Sequence, residues 1–205
     1  MQGGRIQVGE IVFAAAMGNT SMTEWFAALI GIGLVGREFM ERTIELPVYA
    51  AYKRVHIALV KMLYSYLLII VISGLYPLIS CIRVGMGFFM TLGSAGWLYA
   101  MRCIGIRMLL DMAMMSVALL CAFVFRDVVR NLVCIISITA VLTFFKEVLP
   151  LNSWIVFYYP SMVLPRLMQR EINSQVLIKA LAYSVAMLGV NGSVCCVLFQ
   201  RAELK

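Results

Sequence analysis

Two stretches of this chain, Met62 to Ile82 and Ala180 to Gln200, run without a single charged residue. Each reaches the roughly 20 residues that a helix needs to cross the hydrocarbon core of a bilayer. Bulk composition agrees: 63% of the 205 residues are hydrophobic and 13% are charged, with a mean hydropathy of +0.95. Soluble domains hold about 45–50% apolar and about 25% charged residues. The expected fold is an all-α polytopic transmembrane helix bundle, a multi-pass protein of the cell membrane, with residues 1–205 forming one membrane domain.

Further spans follow from the same criterion. Met112 to Phe125 and Asn131 to Phe145 are shorter, but flanking residues extend each to spanning length, and Arg126, Asp127 and Arg130 mark a turn between them. Trp25 to Gly36, closed by Arg37 and Glu38, supplies a fifth span if it begins near Asn19. About five spans are therefore expected. Val84 to Met101 is rich in glycine, with Trp97 and Tyr99 near one end, and fits either a crossing or a surface segment. Val148 to Pro165 carries Pro150, Pro160 and Pro165 among Trp154, Tyr158 and Tyr159. Prolines so spaced break a helix and aromatic rings favour the interface, so this is read as a re-entrant or interfacial segment before the last span.

The net charge of +7 does not indicate nucleic acid, because Lys and Arg are scattered singly between apolar runs with no basic face. Membrane orientation and anionic lipid account for it better. Cysteines 81, 103, 121, 134, 195 and 196 form no CxxC pair and, with His56 the one histidine, make no zinc site. They read as small packing residues, and no metal or cofactor is expected. Gly3 to Glu10 offers no apolar core for a cleavable signal peptide. Met112, Met114 and Met115 read as packing side chains, and the glycines of Gly31-Ile32-Gly33 and Gly85-Met86-Gly87 as sites of close helix approach. Asp111, an acid near a membrane interior, is expected to pair with Arg107 one turn earlier at a helix start, with both near the interface.

The longest polar connection is Gly36 to Lys61, GREFMERTIELPVYAAYKRVHIALVK. Arg37 to Leu46 can form a short amphipathic helix supported by Glu38 and Arg42 at i,i+4, ended by Pro47. A second helix is expected from near Val48 through Lys61 into the next span. Phe39, flanked by Glu38 and Glu41 on an exposed helix, calls for something to cover it. Counting Lys and Arg on each side gives nearly a tie, so charge alone does not orient the chain.

In Gly36, Glu38, Phe39, Thr43, Ile44, Arg54 and Lys61 the segment resembles the coupling motif of type-2 ABC exporter membrane subunits, the permeases of drug, peptide and lantibiotic-immunity transporters. The order of other parts is similar too: the cation-bearing turn FVFRDVVRNL between middle spans, the proline-bearing YYPSMVLPRL before the last span, and Phe199, Gln200, Arg201, Ala202 and Glu203 after it, where the family usually has an Asp near Glu203. The resemblance covers nearly the whole chain from Trp25 onward. It implies a cytoplasmic Arg37 to Lys61 and a coupling helix of Arg37, Glu38, Phe39, Glu41, Arg42, Thr43 and Ile44 docked on a separate ABC ATP-binding subunit. It also implies a second permease chain, as homo- or heterodimer, and an N-terminus short of the family's six spans.

The rival classes are a membrane enzyme and a small non-ABC accessory membrane protein. GSAG at Gly93 to Gly96 lacks a suitable histidine for serine proteolysis, Asp111 and Asp127 are isolated, and no GxxxxGK[ST] loop exists to hold ATP. Hydrolysis is therefore expected on a partner chain, and the chain itself is not expected to be an enzyme.

Overall fold

A computed structural model describes residues 26–27, 29–41, 43, 52–82, 94–148 and 174–201, together with Phe13 and Leu167. No strand occurs among these residues. Helical residues 29–31 pass through a π-helical turn, Ile32–Gly36, straight into α1, Arg37–Met40. Four longer helices follow: α2 (Arg54–Ile82), α3 (Ser94–Phe125), α4 (Val128–Val148) and α5 (Ser174–Gln200). The expected all-α bundle is the observed architecture. Three helical stretches, Arg54–Pro77, Trp97–Phe125 and Ser174–Gln200, are long and apolar enough to cross a membrane, so the chain is a membrane protein. In α4 the qualifying apolar stretch is shorter, Val128–Ile138.

The helices outrun the charge-free stretches that announced them. The Met112 to Phe125 span is the second half of α3, whose first two turns take in residues 94–101 of the glycine-rich stretch. Arg102, Arg107 and Asp111 do not end this helix, because each is accommodated along it: Arg102 stacks over Tyr99 at 5.4 Å and Arg107 bonds Asp111. Lys61 and Lys179 are likewise internal to α2 and α5. Residues 84–93 and the proline-bearing Val148–Pro165 segment lie outside the described residues, apart from Val148 itself.

α3 is the central element. Of its most apolar stretch 56% is buried, against 28% for α2 and 11% for α5, and α2, α4, α5 and the π turn all pack on it. The core joins Ile57, Met62 and Ile69 of α2 to Met115, Leu119 and Phe123 of α3 and to Cys195 and Phe199 of α5. Between the helices Asn191 donates a hydrogen bond to Ser116 at 2.9 Å. Outward faces stay apolar, with Leu63, Leu67, Val71 and Leu75 on α2 and Val185, Val190 and Val197 on α5 exposed, as a lipid solvent permits.

Glycines lie at two helix crossings, where an added Cβ would come into contact without a prohibitive clash. A Cβ at Gly31 would stand 3.5 Å from the Ala118 carbonyl oxygen of α3, and one at Gly192 would meet the end of Met62 at 3.2 Å. Gly33, its neighbour in the same GxG pattern, faces open space. The turn between α3 and α4 falls where its charges placed it. Arg126 closes α3 with a left-handed φ of 52°, and Asp127 caps α4 by accepting from the amides of Val129 at 2.7 Å and Arg130 at 3.1 Å.

Candidate functional site

The termini of four helices converge at one end of the bundle: the starts of α2 and α4 and the ends of α3 and α5. Arg54 of α2 donates to the carbonyl of Gln200 at 3.3 Å, a cation placed on the negative end of α5. α1 enters the space between these termini. Its ring, Phe39, meets Phe123 edge-on at 5.9 Å and Phe199 at 6.0 Å, and those two meet each other at 5.8 Å. The Arg126 guanidinium stands over the Phe39 ring at 5.8 Å. Edge-to-face pairs of this kind each add about 0.5–1.5 kcal/mol beyond area burial.

Phe39 is thus partly buried against its own chain, which corrects the expectation that it projects from an exposed helix. Its cover comes from helices far along the sequence, which local pattern does not reveal. Glu38 also turns inward and pairs with Lys61 of α2. Among the described residues the i,i+4 support inside the segment is Arg37 to Glu41, at 2.6 Å, and the expected Glu38–Arg42 pair falls on Arg42, outside them. Glu41's hydrogen bond, and then its charge, raise the Arg37 pKa above its ordinary value. On so exposed a pair this adds little stability.

Of the seven residues assigned to the coupling helix, Glu38 and Phe39 face the bundle while Arg37, Glu41 and Thr43 are exposed, with Met40 beside them. Arg42 and Ile44 lie outside the described residues. The α-helical part is shorter than the Arg37 to Leu46 expected: Glu41 is a turn and Thr43 stands in a 3₁₀ conformation, its hydroxyl 3.5 Å from the Glu38 carbonyl. The following helix begins at Arg54 and not near Val48, since Tyr52 and Lys53 are non-helical and the Lys53 carbonyl accepts the first amides, from His56 and Ile57.

Gly36, at the joint between the π turn and α1, lies against α4. A Cβ there would stand 3.8 Å from Val128 and 3.9 Å from the Asn131 side-chain nitrogen. The Asn131 amide is fully buried and has no hydrogen-bond partner among the described residues. The segment therefore touches every one of the four termini, through Lys61, Phe123, Val128 and Phe199.

A second polar cluster lies deep in the bundle. Asp111 accepts from the Ser73 hydroxyl of α2 at 2.6 Å and from Arg107 Nε at 3.3 Å, and the Arg107 guanidinium stands over the Tyr76 ring at 5.3 Å. Both charged residues are buried, at 0% and 4% exposure. The expected pair exists, but at the midpoint of the Trp97–Phe125 stretch and not at a helix start. With a rise of about 1.5 Å per residue, Asp111 is roughly 21 Å from either end. Pro77, inside α2, also removes the amide that would bond the Ser73 carbonyl, so polarity concentrates here.

Among the described residues no three His, Cys, Asp or Glu side chains are grouped to hold a metal ion. One association went unforeseen: the sulfurs of Cys121 and Cys134 are 3.8 Å apart across the α3–α4 seam. Their positions within about two helical turns of the Arg126–Asp127 turn, one on each side of it, were the available signal. Comparison with known proteins yields no relative, since no family model, curated protein or solved structure matches this chain.

Proposed function

We propose that this chain is the permease subunit of an ABC exporter, forming a translocation path with a second permease chain and driven by separate ATP-binding subunits. The observation that carries this reading is the placement of Arg37–Met40. Its inner side chains, Glu38 and Phe39, grip the ends of the spanning helices, while Arg37, Met40, Glu41 and Thr43 face outward. An element so placed passes a push on its outer face to the helix termini it touches. That is the task of a coupling helix, and the resemblance of GREFMERTI to the exporter motif gives the same assignment. The roles divide accordingly: the outer residues contact the ATPase, and Glu38 and Phe39 transmit.

Two measurements test it. The purified chain is expected to hydrolyse no ATP, to co-purify with an ATP-binding subunit, and to make that subunit's hydrolysis depend on its presence; ATP turnover by the isolated chain would overturn the assignment. Orientation is checked with single cysteines at Thr43 and Asn152 in a background lacking the native ones. In intact cells an impermeant thiol reagent is expected to label Asn152→Cys and to spare Thr43→Cys, and the reverse pattern places the segment on the wrong side for an ATPase.

A further inference from the structure

Cys121 and Cys134 lie on consecutive antiparallel helices, one on each side of the turn that joins them, with sulfurs in van der Waals contact at 3.8 Å. Both are free thiols; Cys121 is buried and Cys134 half-buried. From this contact a disulfide requires the sulfurs to close by under about 2 Å. We propose that Cys121 and Cys134 form a reversible disulfide site that staples α3 to α4 in response to a small-molecule disulfide such as oxidised glutathione.

The chemistry follows from the unequal burial. The Cys134 thiolate, the more accessible, attacks one sulfur of glutathione disulfide and releases one glutathione thiolate, which takes up a proton. The Cys121 thiolate then attacks the Cys134 sulfur of the mixed disulfide and releases the second glutathione. Two protein thiols are oxidised to one disulfide, and one glutathione disulfide is reduced to two thiols. Cys121, shielded between helices, serves as the resolving partner.

The staple has a structural consequence. The first turn of α4 carries Val128 and Asn131, which flank Gly36 at the root of α1. Locking α3 to α4 one turn further in holds the wall against which that joint rests. On the permease reading, which this consequence rests on, the pair lies at the cytoplasmic end, where thiols are kept reduced, so its oxidation arrests coupling under oxidative conditions. The redox chemistry itself stands without that reading.

The full chain in membranes is equilibrated with millimolar reduced or oxidised glutathione, alkylated, digested with trypsin and examined by mass spectrometry. The expected product under oxidised glutathione is a linked pair of peptides 108–126 and 131–146, split again by reductant. The linked form is expected to unfold at a higher temperature than the reduced form, and Cys134→Ser to lose both the link and the shift. Free alkylation of both thiols under oxidising conditions, a persistent glutathione adduct on Cys134, or linkage of Cys121 to the 180–201 peptide bearing Cys195 would each overturn the proposal. Because this readout needs neither ATP nor a partner subunit, its failure is distinct from failure of the transport assignment.

Discussion

Replacing Asp111 with leucine is expected to destabilise the bundle by about 3–5 kcal/mol, the usual cost of removing one partner from a buried ion pair. Whole-domain stabilities are about 5–15 kcal/mol, so the loss is a large share of what holds the fold. The cost arises from what stays behind. Arg107 is fully buried at the middle of α3, and the carboxylate that accepts its Nε–H is gone. A guanidinium has no neutral form within reach in a protein, so the charge remains. A carboxyl can shed its charge by binding a proton and keep the Ser73 hydrogen bond, so Arg107→Met should cost less than Asp111→Leu.

The double variant, Arg107→Met with Asp111→Leu, removes both charges and fills the space with apolar atoms. It is expected to recover most of the lost stability, as paired apolar replacements of buried ion pairs commonly do. Ser73→Ala, which deletes one hydrogen bond to a charged acceptor, should cost about 1.5–3 kcal/mol. Reversible unfolding in mixed micelles measures all four variants. If Asp111→Leu alone unfolds like the wild type, the pair does not bear on α2–α3 packing, and the intramembrane cluster must be sought as a transport element instead.

How far the sequence announces this molecule depends on which interactions decide each feature. Charge-free runs announce spanning helices because in lipid the backbone has no alternative to bonding itself. They understate helix length, because Lys61, Lys179 and Arg107 interrupt the runs without interrupting the helices. Lys61 reaches Glu38, and Arg107 finds its acceptor on the next turn. The turn at Arg126–Asp127 was legible since an N-cap aspartate acts on amides two and three residues away. The surroundings of Phe39 were not. Its rings of contact come from Phe123 and Phe199, on helices that the local heptad of residues says nothing about. The same holds for Glu38, whose partner Lys61 lies on another helix. For Cys121 and Cys134 the information was present but needed the hairpin to be recognised first, since the two become neighbours only once the helices fold back at the turn.

That Phe39 is internally packed divides the consequences of changing α1 into two classes, and the separation is the most informative experiment on the segment. Phe39→Ala removes one ring from a three-ring contact at the meeting point of α1, α3 and α5. The loss is expected to be about 3 kcal/mol, the low end for Phe→Ala in a core, because the ring is only partly buried. Such a variant should unfold more easily whether or not any partner exists, so a transport defect in it proves nothing by itself. Met40→Ala and Arg37→Ala touch exposed side chains and should alter stability by no more than about 0.5 kcal/mol. If an ATP-binding subunit docks on this face, truncating a central contact there is expected to cost about 2 kcal/mol or more of association, near a thirtyfold weakening. The coupling assignment therefore requires a specific pattern: unchanged melting with weakened ATPase association and export for Met40→Ala or Arg37→Ala, and lowered melting together with uncoupled hydrolysis for Phe39→Ala. Normal association and export in both outer-face variants would leave Arg37–Met40 as a wedge that merely closes the end of the bundle, and the lever would have no surface on which to be pushed.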